Sequence, residues 1–149
     1  MIWVKNFINL NNDEILAVFK ARTDPQTTAF CIRNNFNFDE HLSFVRSLKF
    51  RNDKAYFMIY DDESFIAVIS FVDISANQAE FGLYKTPGTK SVGKVLMNQM
   101  IKLAYSLNLK TIKAKVLKHN LKAINLYKEF GFEIYYEDKE IFYIKRIID

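Results

Sequence analysis

Two segments of the chain combine residue types and spacings that could do chemistry. The first is Gly88-Thr89-Lys90-Ser91-Val92-Gly93-Lys94-Val95-Leu96, which reads as a turn from a strand into a helix at about Val92. The first N–H groups of such a helix have no internal partner, and the dipole there favours an anion. Gly93 removes a side chain where phosphate oxygens would approach, and Lys90 and Lys94 add positive charge. The segment can therefore hold a pyrophosphate, although it is also what an ordinary glycine-containing connection looks like. The second segment runs from Asn120 to Phe132 and sets an Asn at a strand end and Tyr127 one helix later, before Gly131. All four glycines of the chain (Gly82, Gly88, Gly93, Gly131) fall between residues 82 and 131. Their clustering marks where the backbone is asked for unusual conformations.

The elements that must position these residues follow from the hydrophobic period. Residues 2–8 read as a strand, and 12–22 as a helix with Ile15, Leu16, Val18 and Phe19 on one side and Asn11, Asn12 or Asp13 as its cap. A Thr23-Asp24-Pro25 turn and an irregular stretch to Asn37 come next, then a second amphipathic helix over 39–50. From Ala55 the period changes to that of strands: 55–60, 65–72 and 79–84, joined by turns short enough for antiparallel hairpins. Gly82 inside the third of these predicts a bulge or a close backbone approach. A long helix over 91–107 follows, then a strand at 111–117, a helix at 121–130, and a closing hairpin of 132–136 with 140–147. The order predicts one domain, 1–149, of the α/β (α+β) class, with a mixed central sheet and helices on both faces.

Composition excludes several function classes. Half the residues are apolar, with 14 Phe and 8 Tyr, so the chain can build a core. The net charge of +4 is mild, and the lysines interleave with acids instead of forming a nucleic-acid stripe. Lys85, Lys90 and Lys94 around the glycine turn suit a small phosphorylated ligand. One cysteine, Cys31, permits no internal disulfide, and with two histidines makes a dedicated metal site improbable. No stretch nears the roughly 20 apolar residues of a membrane span, and a cytoplasmic protein is expected.

Together the two segments resemble the acetyl-CoA site of the GNAT superfamily of N-acetyltransferases, and the order of elements is that of a GNAT domain. In the first signature, Gln/Arg-x-x-Gly-x-Gly/Ala, Gly93 matches the last glycine, Ser91 stands at the earlier one, and Gly88 stands in place of the Arg or Gln. The second, Asn120-x-x-Ala123-x-x-Leu126-Tyr127-x-x-x-Gly131-Phe132, matches over a dozen positions. The resemblance implies acetyl-CoA as co-substrate, bound by Lys90, Ser91, Val92, Gly93, Lys94, Asn120 and Ala123, and no metal. It implies a backbone N–H of Leu83 or Tyr84 aimed at the thioester oxygen. Tyr127 would point its hydroxyl at the cofactor sulfur as general acid, its alternative being a core tyrosine beside Ile124 and Phe130. Glu80 would relay the amine proton through water, with Ser70 as a rival relay and a surface role for Glu80 equally open.

On the acceptor side, Arg22, Asp24-Pro25, Phe30-Cys31 and Glu40-His41-Leu42-x-Phe44 resemble the N-acetyltransferases of bacterial pseudaminic acid biosynthesis. Those enzymes acetylate the 4-amino group of a UDP-linked 4-amino-4,6-dideoxy sugar, a precursor of the flagellin glycan. The resemblance implies that Arg22 and His41 contact the nucleotide or its phosphates and that Phe30 stacks on base or sugar. The bland reading makes His41 a helix-start residue and Phe30 plain core. Two other functions stay open: a protein or peptide N-terminal acetyltransferase, and a catalytically silent acyl-CoA-binding module. A homodimer is left open, and neither nucleic acid nor membrane is expected as a partner.

Overall fold

A computed structural model describes residues 1–32 and 37–148; the end of the stretch expected to be irregular, 33–36, lies outside the described residues. Its strands are β1 (Ile2–Asn6), β2 (Ala55–Asp61), β3 (Ser64–Ser75), β4 (Gln78–Lys85), β5 (Thr111–Leu117), β6 (Glu133–Glu137) and β7 (Ile141–Ile147). Its helices are α1 (Asn12–Thr23), α2 (Pro25–Thr28), α3 (Phe38–Ser47), α4 (Gly93–Ser106) and α5 (Leu121–Glu129). The seven strands form a mixed sheet in the order β1-β2-β3-β4-β5-β7-β6. The chain divides into two compact units, Met1–Phe71 with Leu83–Thr89, and Val72–Gly82 with Lys90–Asp149.

In the first unit, β1 pairs antiparallel with β2 and β2 with β3, in a register that shifts at Ile59/Tyr60. Phe7, Ile15, Val18, Val45, Leu48, Met58 and Val68 form its core, with Phe38, Leu42, Phe44, Tyr56 and Tyr84 packed against them. Helix α1 starts in a capping box: Asn11 accepts from the Glu14 N–H, and Glu14 accepts from the Asn11 N–H. It stops because Pro25 disfavours the helical region for Asp24, which is extended (φ −64°, ψ 139°). Asp24 then caps α2, a short helix inside the segment expected to be irregular.

In the second unit, β5 lies antiparallel to β7, and β7 to β6. Alternate β5 residues Ile112, Ala114 and Val116 are buried, as are Leu96, Met97, Met100 and Ala104 of α4 and Ile124 of α5. Strand β4 runs parallel to β5, but their ladder covers only Gln78↔Thr111, Ala79↔Ile112 and Glu80↔Lys113 and ends there. The strands themselves continue to Lys85 and Leu117. The ladder ends just before Phe81-Gly82, which is where the glycine predicted an irregularity.

Candidate active site

The helix N-termini of this protein are treated differently. Asn11, Asp24, Asn37 and Asn120 each lend a side-chain oxygen to the first turn of α1, α2, α3 and α5. Helix α4 has Val92 at its cap position, with no side chain able to cap, and its first turn holds no acid. Just before it, Ser91 adopts φ 60°, the left-handed conformation that glycine favours, at the position where the signature has a glycine. A left-handed residue followed by an uncapped helix start turns successive N–H groups toward one point, a form of anion cradle. Lys90 and Lys94 are exposed beside it, with Lys94 Nζ 3.7 Å from Glu129 of α5.

Gly93 has a second reason to be glycine. A Cβ placed there would come within 3.0 Å of Leu126 Cδ2 on α5, so the glycine lets the start of one helix approach the side of the next. Asn120 Oδ1 accepts from the Ala123 N–H at 3.4 Å, which fixes the start of α5 and leaves the amide donor of Asn120 for another partner. Seven residues on, half-buried Tyr127 meets the edge or face of Phe81 (centroids 5.5 Å, 86° between planes) and of Phe132 (6.0 Å). Burial pushes its phenol up to about 12. Its hydroxyl makes no hydrogen bond to another described side chain, so the donor is available. Glu80, on the last rung of the β4–β5 ladder, has its carboxylate 3.5 Å from Lys115 Nζ.

The first unit holds the other expected residues. The turn after β4 is pinned by Thr86, whose hydroxyl lies 3.2 Å from the carbonyls of Phe65 and Ile66 and 2.6 Å from Thr89 Oγ1. Gly88, at φ 83°, donates its N–H to Gln26 Oε1 on α2 at 3.3 Å. Leu83 and Tyr84 are half-buried on β4. Burial pushes the Tyr84 phenol far up; the Arg22 guanidinium pulls it back, while Cys31 and Tyr56 add to the rise. Burial likewise raises the Cys31 thiol, again opposed by Arg22. Arg22, Cys31, Tyr56 and Tyr84 therefore share one electrostatic neighbourhood. Ser70 sits on β3 opposite Tyr56.

Sequence reasoning named Arg22 and Tyr84 in this group and missed Tyr56, whose only signal was its place in an aromatic strand. Phe30 is exposed just past α2. His41 is held inward: its Nε2 lies 3.1 Å from the Ile15 carbonyl of α1, and Phe19 and Phe38 flank the ring. Burial lowers its pKa against the opposing effect of that hydrogen bond, so the ring is mostly neutral at pH 7. Among the described residues no group of His, Cys, Asp and Glu could hold a metal ion, and no helix is long and apolar enough to cross a membrane.

Comparison with known proteins decides the family. The profile of the acetyltransferase (GNAT) family matches residues 9–132. The chain belongs to the GNAT family. It is 45% identical over 145 residues to "Acetyltransferase PseH" of Campylobacter jejuni subsp. jejuni serotype O:2, covering 97% of this chain and 92% of that protein. Against the crystal structure of C. jejuni N-acetyltransferase PseH in complex with acetyl coenzyme A the TM-score is 0.85, at 41% identity and 100% coverage of both chains. Spermidine N-acetyltransferase of Vibrio cholerae, at 18% identity and a TM-score of 0.84, shares the fold. This GNAT protein is an acetyl-CoA-dependent N-acetyltransferase. Its own geometry fits that co-substrate: an uncapped helix start for the pyrophosphate, and a parallel ladder that ends after Glu80.

Proposed function

We propose that residues 1–149 act as one N-acetyltransferase domain whose acceptor is the 4-amino group of a UDP-linked 4-amino-4,6-dideoxy sugar. On this reading the protein works in pseudaminic acid biosynthesis for flagellin glycosylation, in the cytoplasm. The observation that carries the reading is the 45% identity to acetyltransferase PseH over 97% of the chain. The charged, aromatic neighbourhood of Arg22, Tyr56 and Tyr84 supports it, because a phosphorylated sugar needs a guanidinium and a flat partner.

The roles follow from chemistry. Acetyl-CoA supplies an activated acyl group that the acceptor amine attacks directly. Ser91, Val92, Gly93 and Lys94 offer backbone N–H groups to the pyrophosphate, with the Lys90 and Lys94 ammonium groups beside them; Asn120 and the small Ala123 receive the pantetheine arm. A backbone N–H of Leu83 or Tyr84 holds the thioester oxygen as negative charge grows on it. Glu80 takes the proton from the amine through water, with Ser70 as a rival relay that would pass it on to solvent. Tyr127 donates to the departing sulfur. A phenol at about 12 stays protonated throughout the working pH range. Full transfer of its proton to a thiolate of ordinary pKa is uphill by about 5 kcal/mol, so Tyr127 acts mainly as a hydrogen-bond donor that lowers the barrier.

Mass spectrometry of mixtures with acetyl-CoA tests the acceptor. UDP-linked 4-amino sugars should gain one acetyl group and peptide N-termini none. Tyr127→Phe should keep acetyl-CoA affinity and lose roughly a hundredfold in kcat. Acetylated peptides with untouched sugar nucleotides would move the function to the N-terminal acetyltransferases. Acetyl-CoA binding without turnover on any amine would leave a silent binding module.

A further inference from the structure

Between β1 and α1 the chain passes through a short 3-10 turn, Phe7–Asn9, and α3 runs on into another, Leu48–Phe50. Where these turns meet α1 and α3, a cavity of about 150 Å³ opens within the first unit. Phe7, Ile15 and Val45, none more than 4% exposed, form its apolar floor. Asn12, Arg46 and Lys49, all exposed, line its mouth, and no acid is among the lining residues. Among the described residues the Arg46 guanidinium has no hydrogen bond or ion pair, and the Lys49 ammonium lies 5.1 Å from the ring centroid of Phe50. Core side chains are ordinarily packed to crystal density, so a void bounded by three of them is a departure. Its walls are held in place. The capping box of Asn11 and Glu14 fixes the start of α1, and His41 Nε2, 3.1 Å from the Ile15 carbonyl, ties α3 to α1. His41 and Val45 share a face of α3, so that tie lies one helical turn from the cavity. A preformed site loses less on binding than one that must be ordered.

We propose that this cavity is a binding site for a small aryl carboxylate, made of residues separate from those assigned to acetyl-CoA and to the acceptor. An apolar cavity of about this volume accepts a benzene ring, and the Phe7 ring with two aliphatic side chains offers the surface for one. The planar Arg46 guanidinium can hold a carboxylate through two parallel N–H···O bonds, and Lys49 adds a second positive charge. A long acyl chain exceeds the volume, and inorganic phosphate leaves the apolar floor bare.

The test is amide NMR of the full chain titrated with phenylacetate. Shifts should saturate and centre on Phe7, Asn12, Ile15, Val45 and Arg46, with or without saturating CoA, and the affinity should fall with salt. The melting temperature should rise with phenylacetate concentration. Arg46→Met/Lys49→Met should lose about tenfold or more in phenylacetate affinity and keep its affinity for acetyl-CoA. Phenethylamine, with the ring but the opposite charge, and acetate, with the charge but no ring, should leave these amides in place. Absence of saturable shifts, undiminished affinity in the double variant, or acetate moving the same amides overturns the site. So does saturation that moves residues 91–95 or Arg22 instead. A peptide ending in phenylalanine that binds here more tightly than phenylacetate makes the cavity a protein-docking pocket and overturns the small-molecule assignment.

Discussion

Helices α1 and α4 differ most where they begin. At α1 the end is closed: Asn11 and Glu14 exchange hydrogen bonds, and Glu14 also takes the Lys5 ammonium at 2.8 Å and the Tyr60 hydroxyl at 3.1 Å. At α4 a valine stands at the cap position, no acid follows, and a serine is held in a left-handed conformation. One helix end contributes to stability through its own side chains. The other has no capping side chain and no acid in its first turn, which on the proposed reading leaves its donors for the pyrophosphate of acetyl-CoA. Two helix starts of the same chain thus separate folding from binding, and substitutions should act on one without the other.

Gly93→Val should have the largest effect, because it acts on both. Its Cβ would press on Leu126 at 3.0 Å, and overpacking of this kind costs about 1–3 kcal/mol. It would also crowd the phosphate cradle. Adding Leu126→Ala should restore much of the melting temperature without restoring acetyl-CoA affinity. If the double variant regains both, the glycine serves helix packing alone.

Glu14→Ala should act on stability alone. It removes half a capping box and leaves the half-buried Lys5 without its partner, a loss of about 2–3 kcal/mol by chemical denaturation, with acetyl-CoA affinity unchanged. Burial tends to raise the Glu14 carboxyl, yet bonds from the Asn11 N–H, Lys5 and Tyr60 outweigh it and hold it below 4.5. A carboxylate with a lowered folded pKa stabilises above its unfolded value. Wild type should therefore lose this contribution as the pH falls below about 4.5, a loss that Glu14→Ala no longer shows.

Val92→Asp is the smallest change in the fold and the sharpest in the comparison. A negative charge at the α4 start should stabilise the free protein by about 0.3–1 kcal/mol through the helix dipole, while repelling the phosphates and weakening acetyl-CoA binding. A variant that melts higher and binds as well as wild type would separate α4 from the cofactor.

Much of this was legible in the sequence because it rests on local rules. The change from helical to strand period at Ala55, the cap at Asn11, Asn12 or Asp13, and the glycine turn all act within a few residues. What escaped depends on contacts distant in sequence. Leu126 explains Gly93 only once two helices are packed, and the Ile15 carbonyl explains His41 only once α1 meets α3. Helix α2 was hidden because its four residues, the first a proline, are too few to show a period. The cavity beside Arg46 exists only once α1, α3 and the turn after β1 meet.

Amide NMR of the wild-type protein titrated with CoA tests the central claim most directly, because it watches both helix ends at once. The N–H groups of Ser91, Val92, Gly93, Lys94 and Val95 should move as binding saturates, while those of Asn12, Asp13, Glu14 and Ile15 stay in place. Saturable binding that leaves residues 91–95 unmoved would contradict the account.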